Sequence, residues 1–145
     1  MINHPHRSTS AAVLYKELTG SDIYKQHEAS FSRVSAYVIT DNTGERVATI
    51  AFKFPADGAG RLYAYLHILG LRMVRAQAGG YGYDKKSAAL SSAAARVPTY
   101  SEEDLTTWQK EATTRDLIVA ALMPDGGQGW DRRLREAGFN VLQAI

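Results

Sequence analysis

Residues 33–40 (RVSAYVIT) alternate with a period of two: Val34, Ala36 and Val38 on one side, Ser35, Tyr37 and Ile39 on the other. Alternation of that kind predicts a β-strand. Asp41-Asn42-Thr43-Gly44 supplies turn chemistry, and the following segment carries Ala48, Ile50, Phe52 and Phe54 at every second position. The two runs predict a hairpin over residues 33–54. Its register is held by the pattern, because a slip of one residue would turn a whole apolar face to water. Pro55 ends the return strand, and Ala56-Asp57-Gly58-Ala59-Gly60 forms the next turn. Residues 61–78 are again extended, with Leu62, Ala64, Leu66 and Ile68 opposite Tyr63, Tyr65, His67 and Leu69. Gly70 interrupts the run and marks a bulge or a tight bend, which leaves one bent strand or two.

Helical periodicity predicts three further elements and a short opening one. Ser8 or Ser10 caps a first helix over about 10–19, stopped at Gly20, behind a loose polar arm at 1–8. His4 and His6 lie in that arm, with nothing nearby to complete a metal site. Asp84 caps a helix over about 85–96 whose Ala and Ser side chains allow close approach to a sheet. Ser101-Glu102-Glu103-Asp104 is a capping-box-like start to another helix, with Leu105 and Trp108 as its buried anchors. Residues 117–123 (LIVAALM) form a continuous apolar run and read as a strand covered on both faces. After the loop Pro124–Gly129, Trp130, Leu134 and Ala137 recur with helical spacing, Gly138 closes that helix, and FNVLQAI returns as a final strand. The expected fold is therefore α+β in one domain over 1–145. A mainly antiparallel sheet of five or six strands is flanked by helices and ends in a C-terminal strand–helix–strand unit.

Composition narrows the chemistry. The chain has 145 residues, 45% hydrophobic and 22% charged, with a net charge of +2. That balance excludes a disordered chain and a protein that coats nucleic acid by charge alone. The absence of cysteine excludes disulfides, thiolate catalysis and Cys-type zinc sites, and fits a reducing compartment. No apolar run reaches the ~20 residues of a membrane-spanning helix, so a cytoplasmic protein with no membrane partner is expected. No metal site is expected, and no catalytic residue is assigned. His67, between Tyr65 and Leu69 on a strand, could act as a general base but reads better as a half-covered structural histidine.

One loop could carry chemistry. Gln77-Ala78-Gly79-Gly80-Tyr81-Gly82-Tyr83-Asp84-Lys85-Lys86 places four tyrosine- and lysine-bearing positions and three glycines between a strand and a helix. Glycines let a ligand approach the backbone, and the free amides of a helix start favour an anion. Between Gly58 and Arg96 six basic residues face one acidic residue, Asp84, so this segment is more basic than the whole chain. Tyr81, Tyr83, Lys85, Lys86, Arg72 and Arg75 form the expected partner-binding set, since Tyr and Arg anchor interfaces. Interleaved aromatic and cationic groups can also stack single-stranded bases.

The pattern Gln77-x-x-Gly80-x-Gly82, after a strand and before a helix, resembles the pyrophosphate loop of GCN5-related N-acetyltransferases. That resemblance implies acetyl-CoA as cofactor, with Gln77, Gly80 and Gly82 as cofactor-binding residues. It also implies a strand, a helix and a terminal Gly-Phe strand after the loop helix. A broader pattern covers roughly residues 33–145. It comprises Asp57-Gly58-Ala59-Gly60-Arg61-Leu62, then Ala78 to Lys85 with Ser87-Ala88-Ala89-Leu90, then Asp125-Gly126-Gly127, Trp130-Asp131, Leu134 and Ala137-Gly138-Phe139. It is similar to small uncharacterised accessory proteins of phages, prophages and plasmids. That resemblance implies a counter-defence protein, anti-CRISPR proteins included. Such a protein would need no cofactor and would bind a host protein or ribonucleoprotein defence complex in the host cytoplasm. The leading expectation is non-enzymatic occupation of a charged surface on such a complex. An acyl-CoA-dependent N-acyltransferase is the alternative, and a single-stranded nucleic-acid module the third.

Overall fold

The computed structural model describes Gly20 and residues 31–55, 62–78, 85–124 and 129–144. Five strands and four helices are defined there: β1 (Phe31–Thr40), β2 (Arg46–Pro55), β3 (Leu62–Ile68), β4 (Val74–Ala78), α1 (Lys85–Ala94), α2 (Glu102–Thr107), α3 (Gln109–Leu122), α4 (Trp130–Glu136) and β5 (Asn140–Gln143). The helix expected over 10–19, the arm at 1–8, the turn at 56–60 and the Asp84 cap lie outside the described residues.

The strands make one sheet in the order β4-β3-β2-β1-β5, and every described pair is antiparallel. The β1–β2 hairpin closes at Asp41, whose carboxylate Oδ1 accepts from the Thr43 hydroxyl at 2.6 Å and from the amides of Thr43 and Glu45 at 2.9 and 3.0 Å. Residues 62–78 are two strands. Leu71 N–H donates to the Ile68 carbonyl at 3.0 Å, and Gly70 takes φ +87° within that turn. A side chain there would collide with its own backbone, so glycine supplies the reversal.

The period of two sorts side chains as the alternation requires. Ile39, Ala48, Ile50, Phe52, Leu62, Ala64, Leu66, Ile68, Val74 and Ala76 face the helices and share one core with Leu90, Ala93, Ile118, Leu122, Trp130 and Leu134. The opposite face carries a second cluster, Ala36, Val38, Ala51 and Tyr65, and on it Thr49 and Lys53 are also buried. α1 lies against β3 and β4. Its buried residues are Ser87, Ala89, Leu90, Ala93 and Ala94, small enough for its axis to come near the strands.

Two expectations need correction. Residues 117–123 are not a strand: Leu117–Leu122 are the last part of the fourteen-residue helix α3. Ala112, Ile118, Ala121 and Leu122 are its buried residues, whereas Leu117 and Met123 stay 46% and 44% exposed. The core face thus follows the i, i+3, i+4 spacing of a helix inside a continuous apolar run. No Gly or Pro breaks the chain from Tyr100 to Met123, and that length of unbroken sequence favours helix over strand. The C-terminus is accordingly helix–helix–strand, and β5 returns to pair with β1, from Tyr37↔Gln143 to Thr40↔Asn140. The second correction is Leu105, which is 42% exposed and no anchor, while Trp108 is half-buried at the α2–α3 junction. The start of α2 is as expected: the Ser101 hydroxyl accepts from Asp104 N–H at 3.2 Å.

Arginines tie the helices together. Arg133 donates through Nε to the Ala121 carbonyl at 2.8 Å and through Nη2 to the Pro124 carbonyl at 2.9 Å, satisfying the end of α3 from α4. Arg115 does the same for the chain after α1, donating to the carbonyls of Val97 and Pro98. Ser91 of α1 donates its hydroxyl to the Met123 carbonyl. At the end of α4, Gly138 (φ +99°) donates to Arg135 and Phe139 to Leu134, the paired bonds of a Schellman stop. That stop aims the chain at β1.

Candidate functional site

Among the described residues, the helix-facing side of the sheet carries a cavity at one end. There Tyr37 of β1, Phe54 of β2, Leu62 of β3, and Val141 and Gln143 of β5 floor a cavity of about 800 Å³. The start of α1 (Lys85, Lys86, Ser87) makes one wall, and α4 (Trp130, Asp131, Arg135) makes the other. The floor residues come from four strands: Tyr37 is in register with Ile50 and Gln143, and Val141 with Ile39, so these lie on the helix-facing side, where Leu62 and Phe54 also pack against the core.

Three rings stiffen the floor. Tyr37 meets Trp130 edge-to-face at 5.0 Å between centroids and Phe52 at 6.0 Å, and Phe52 meets Trp130 at 5.7 Å. Such contacts contribute about 0.5–1.5 kcal/mol each beyond the area buried. Burial, and then the charge of Asp131, push the Tyr37 phenol above its ordinary range, so it stays protonated and neutral near pH 7.

Cations line the rim. The Lys86 ammonium sits 5.1 Å from the centroid of Phe52, attracted by the ring's negative face. Arg135 donates through Nη1 to Asp131 Oδ2 at 2.9 Å, one turn apart on α4. The pair is about half exposed, so it adds little to stability. Among the described residues Lys86 has no carboxylate partner. Among the described lining residues Lys85, Lys86 and Arg135 carry positive charge and Asp131 negative, and Asp131 is engaged by Arg135.

The structure divides the residues expected to bind a partner. Lys85 and Lys86 line the cavity. Arg72 stands exposed in the β3–β4 turn, at the other end of that hairpin from the start of α1. Arg75 projects from the opposite sheet face, its guanidinium 5.0 Å from the Tyr63 ring centroid, while its neighbours Val74 and Ala76 pack toward the helices. Gln77 is exposed on β4, in register with Tyr63 and on the same side as Arg75. Gly80, Tyr81, Gly82 and Tyr83 lie outside the described residues. His67 is half-buried on β3 opposite Thr49, on the face away from the cavity.

Tyr37, Phe54, Trp130, Asp131 and Arg135 were not expected in a site. The signal the sequence holds is that Trp130, Asp131 and Arg135 share one short helix. Nothing in the chain order links them to Lys86 or Tyr37. Among the described residues no group of three His, Asp or Glu side chains could hold a metal ion, and no helix is long and apolar enough to cross a membrane. Comparison with known protein families, curated proteins and solved structures gives no match to this chain.

Proposed function

We propose that this protein is a non-enzymatic binding protein of a mobile genetic element that occupies a charged surface of a host defence complex. The observation that carries the reading is the cavity between two helices, where Lys86 and Arg135 stand over an aromatic floor and Asp131 is the one acid among the described lining residues. A preformed floor lets a partner bind without ordering the site first. The rim charges steer an acidic partner toward it. The revised face is Lys85, Lys86 and Arg135, with Arg72 and Arg75 left out because they point elsewhere.

The acyltransferase reading keeps one supporting observation: β4 ends at Ala78 and α1 begins at Lys85, so the glycine loop is flanked by a strand and a helix. Against it, two helices follow α1, and Leu117–Leu122 lie in α3 where that resemblance implies a strand.

Affinity capture of the tagged protein from its native host, read by mass spectrometry, tests the proposal. A defined defence complex should be captured. The double variant Lys86→Ala, Arg135→Ala should lose at least tenfold in binding while costing no more than about 1–2 kcal/mol of stability, the worth of the Phe52 contact and of a half-exposed ion pair. Capture of the same complex at full strength by the variant rejects this site. Acetyl-CoA gives the rival its own readout. At a hundred times its Kd it would stabilise the fold by about 2.7 kcal/mol, and such a shift without any captured complex would replace the binding reading.

A further inference from the structure

We infer that the cavity takes an acidic peptide segment of the partner, in which a carboxylate lies beside an apolar side chain; this rests on the binding reading above. The first argument is charge. Lys86 is held against the Phe52 ring without a carboxylate among the described residues. A cation partly withdrawn from water and lacking a counter-ion is stabilised by an incoming anion more than a fully solvated one is. Arg135 spends Nη1 on Asp131 and is 53% exposed, so the rest of its five-donor fork remains open to a second carboxylate.

The second argument is shape. Two of the rings around the cavity, Phe52 and Trp130, have no open face on which a base could stack. Phe52 and Trp130 are 0% and 7% exposed, and their ring contacts with Tyr37 are already made. One face of Phe52 carries the Lys86 ammonium. The floor presents the half-buried side chains of Tyr37, Phe54 and Val141, an apolar surface that suits an aliphatic or aromatic side chain entering from above. Asp131 adds to the discrimination: a phosphate brings up to two negative charges toward it, a carboxylate one.

The probe is a synthetic peptide, acetyl-Glu-Glu-Leu-Glu-Glu-amide, titrated into the ¹⁵N-labelled full chain and followed by NMR. The amides of Lys86 and Ser87 and the indole of Trp130 should shift together. Affinity should fall at least tenfold for Lys86→Ala with Arg135→Ala, and at least tenfold for a peptide with Gln in place of each Glu. Shifts that are absent, that lie elsewhere, or that survive both changes overturn the inference. So does a larger response of the same resonances to oligothymidylate than to the peptide. The two levels separate cleanly. A host complex captured through Lys86 and Arg135 with no peptide response sinks the acidic segment and spares the binding reading. A peptide response with no captured complex does the reverse.

Discussion

Asp41 shows how much one side chain can organise. Its carboxylate accepts three hydrogen bonds from Thr43 and Glu45 at the tip of the β1–β2 hairpin. Burial by itself would push its pKa up. The Thr43 hydroxyl, the Thr43 and Glu45 amides and the charge of Lys110 outweigh burial and hold it below the ordinary aspartate value. The folded pKa is therefore lower than the unfolded one, and the unfolded chain binds more protons in between. This contribution to stability is complete above the unfolded value, near pH 4, and is lost as pH falls through the folded value. Urea melts between pH 6 and pH 2.5 should show the loss in the natural protein, and Asp41→Asn should flatten that part of the profile. An unchanged acid limb in the variant would remove Asp41 from the account. The turn tetrad that carries this chemistry is legible in the sequence, because its hydrogen bonds span only two to four residues.

At the level of elements the informative case is α3. Its apolar stretch from Leu117 to Met123 carries no periodicity of its own, so local pattern reads equally as strand or helix. The structure separates its residues by burial: Ile118 is 0% exposed and Leu117 46%. Ile118→Ala should cost about 2–5 kcal/mol, whereas Leu117→Gln should change stability by less than about 0.5 kcal/mol. Chemical denaturation of the two variants checks this. Similar large losses for both would restore a strand buried on two faces. The hairpins, by contrast, declare themselves, because alternation and turn residues coincide at 34–54. Gly44, Gly70 and Gly138 likewise mark the three places among the described residues where φ is positive, each two residues from an element end.

For the whole molecule the decisive contacts run between helices. Arg133 bonds two carbonyls at the end of α3, so it holds α4, and with it Trp130, Asp131 and Arg135, in place beside the sheet. Removing it strands those carbonyls. Arg133→Ala should cost about 1–3 kcal/mol, and Arg133→Lys should recover little of it, because a single ammonium cannot reproduce the fork. Thermal melting measures both. Full stability of the alanine variant would show that α4 is held by its apolar stripe alone. Because the α4 wall of the cavity depends on that anchorage, partner capture should weaken in the same variant in step with its stability, whereas in the rim variants binding falls by far more than stability does.

Local chemistry settled the hairpin, its register, the caps at Ser101 and Gly138, and the α+β class, because each depends on neighbours within a few residues or on a repeating pattern. Lys85 and Lys86 were also visible as a basic start to a helix after a glycine loop. The cavity was not. It exists because β5 crosses to the far edge of the sheet and α4 comes to rest opposite α1, bringing Tyr37, Lys86 and Trp130 together from positions far apart in the chain. The same arrangement sends Arg75 to the other face and Arg72 to the other end. Side-chain direction in a strand follows parity, but which face meets the helices, and where their layer stops, is decided only when the elements pack.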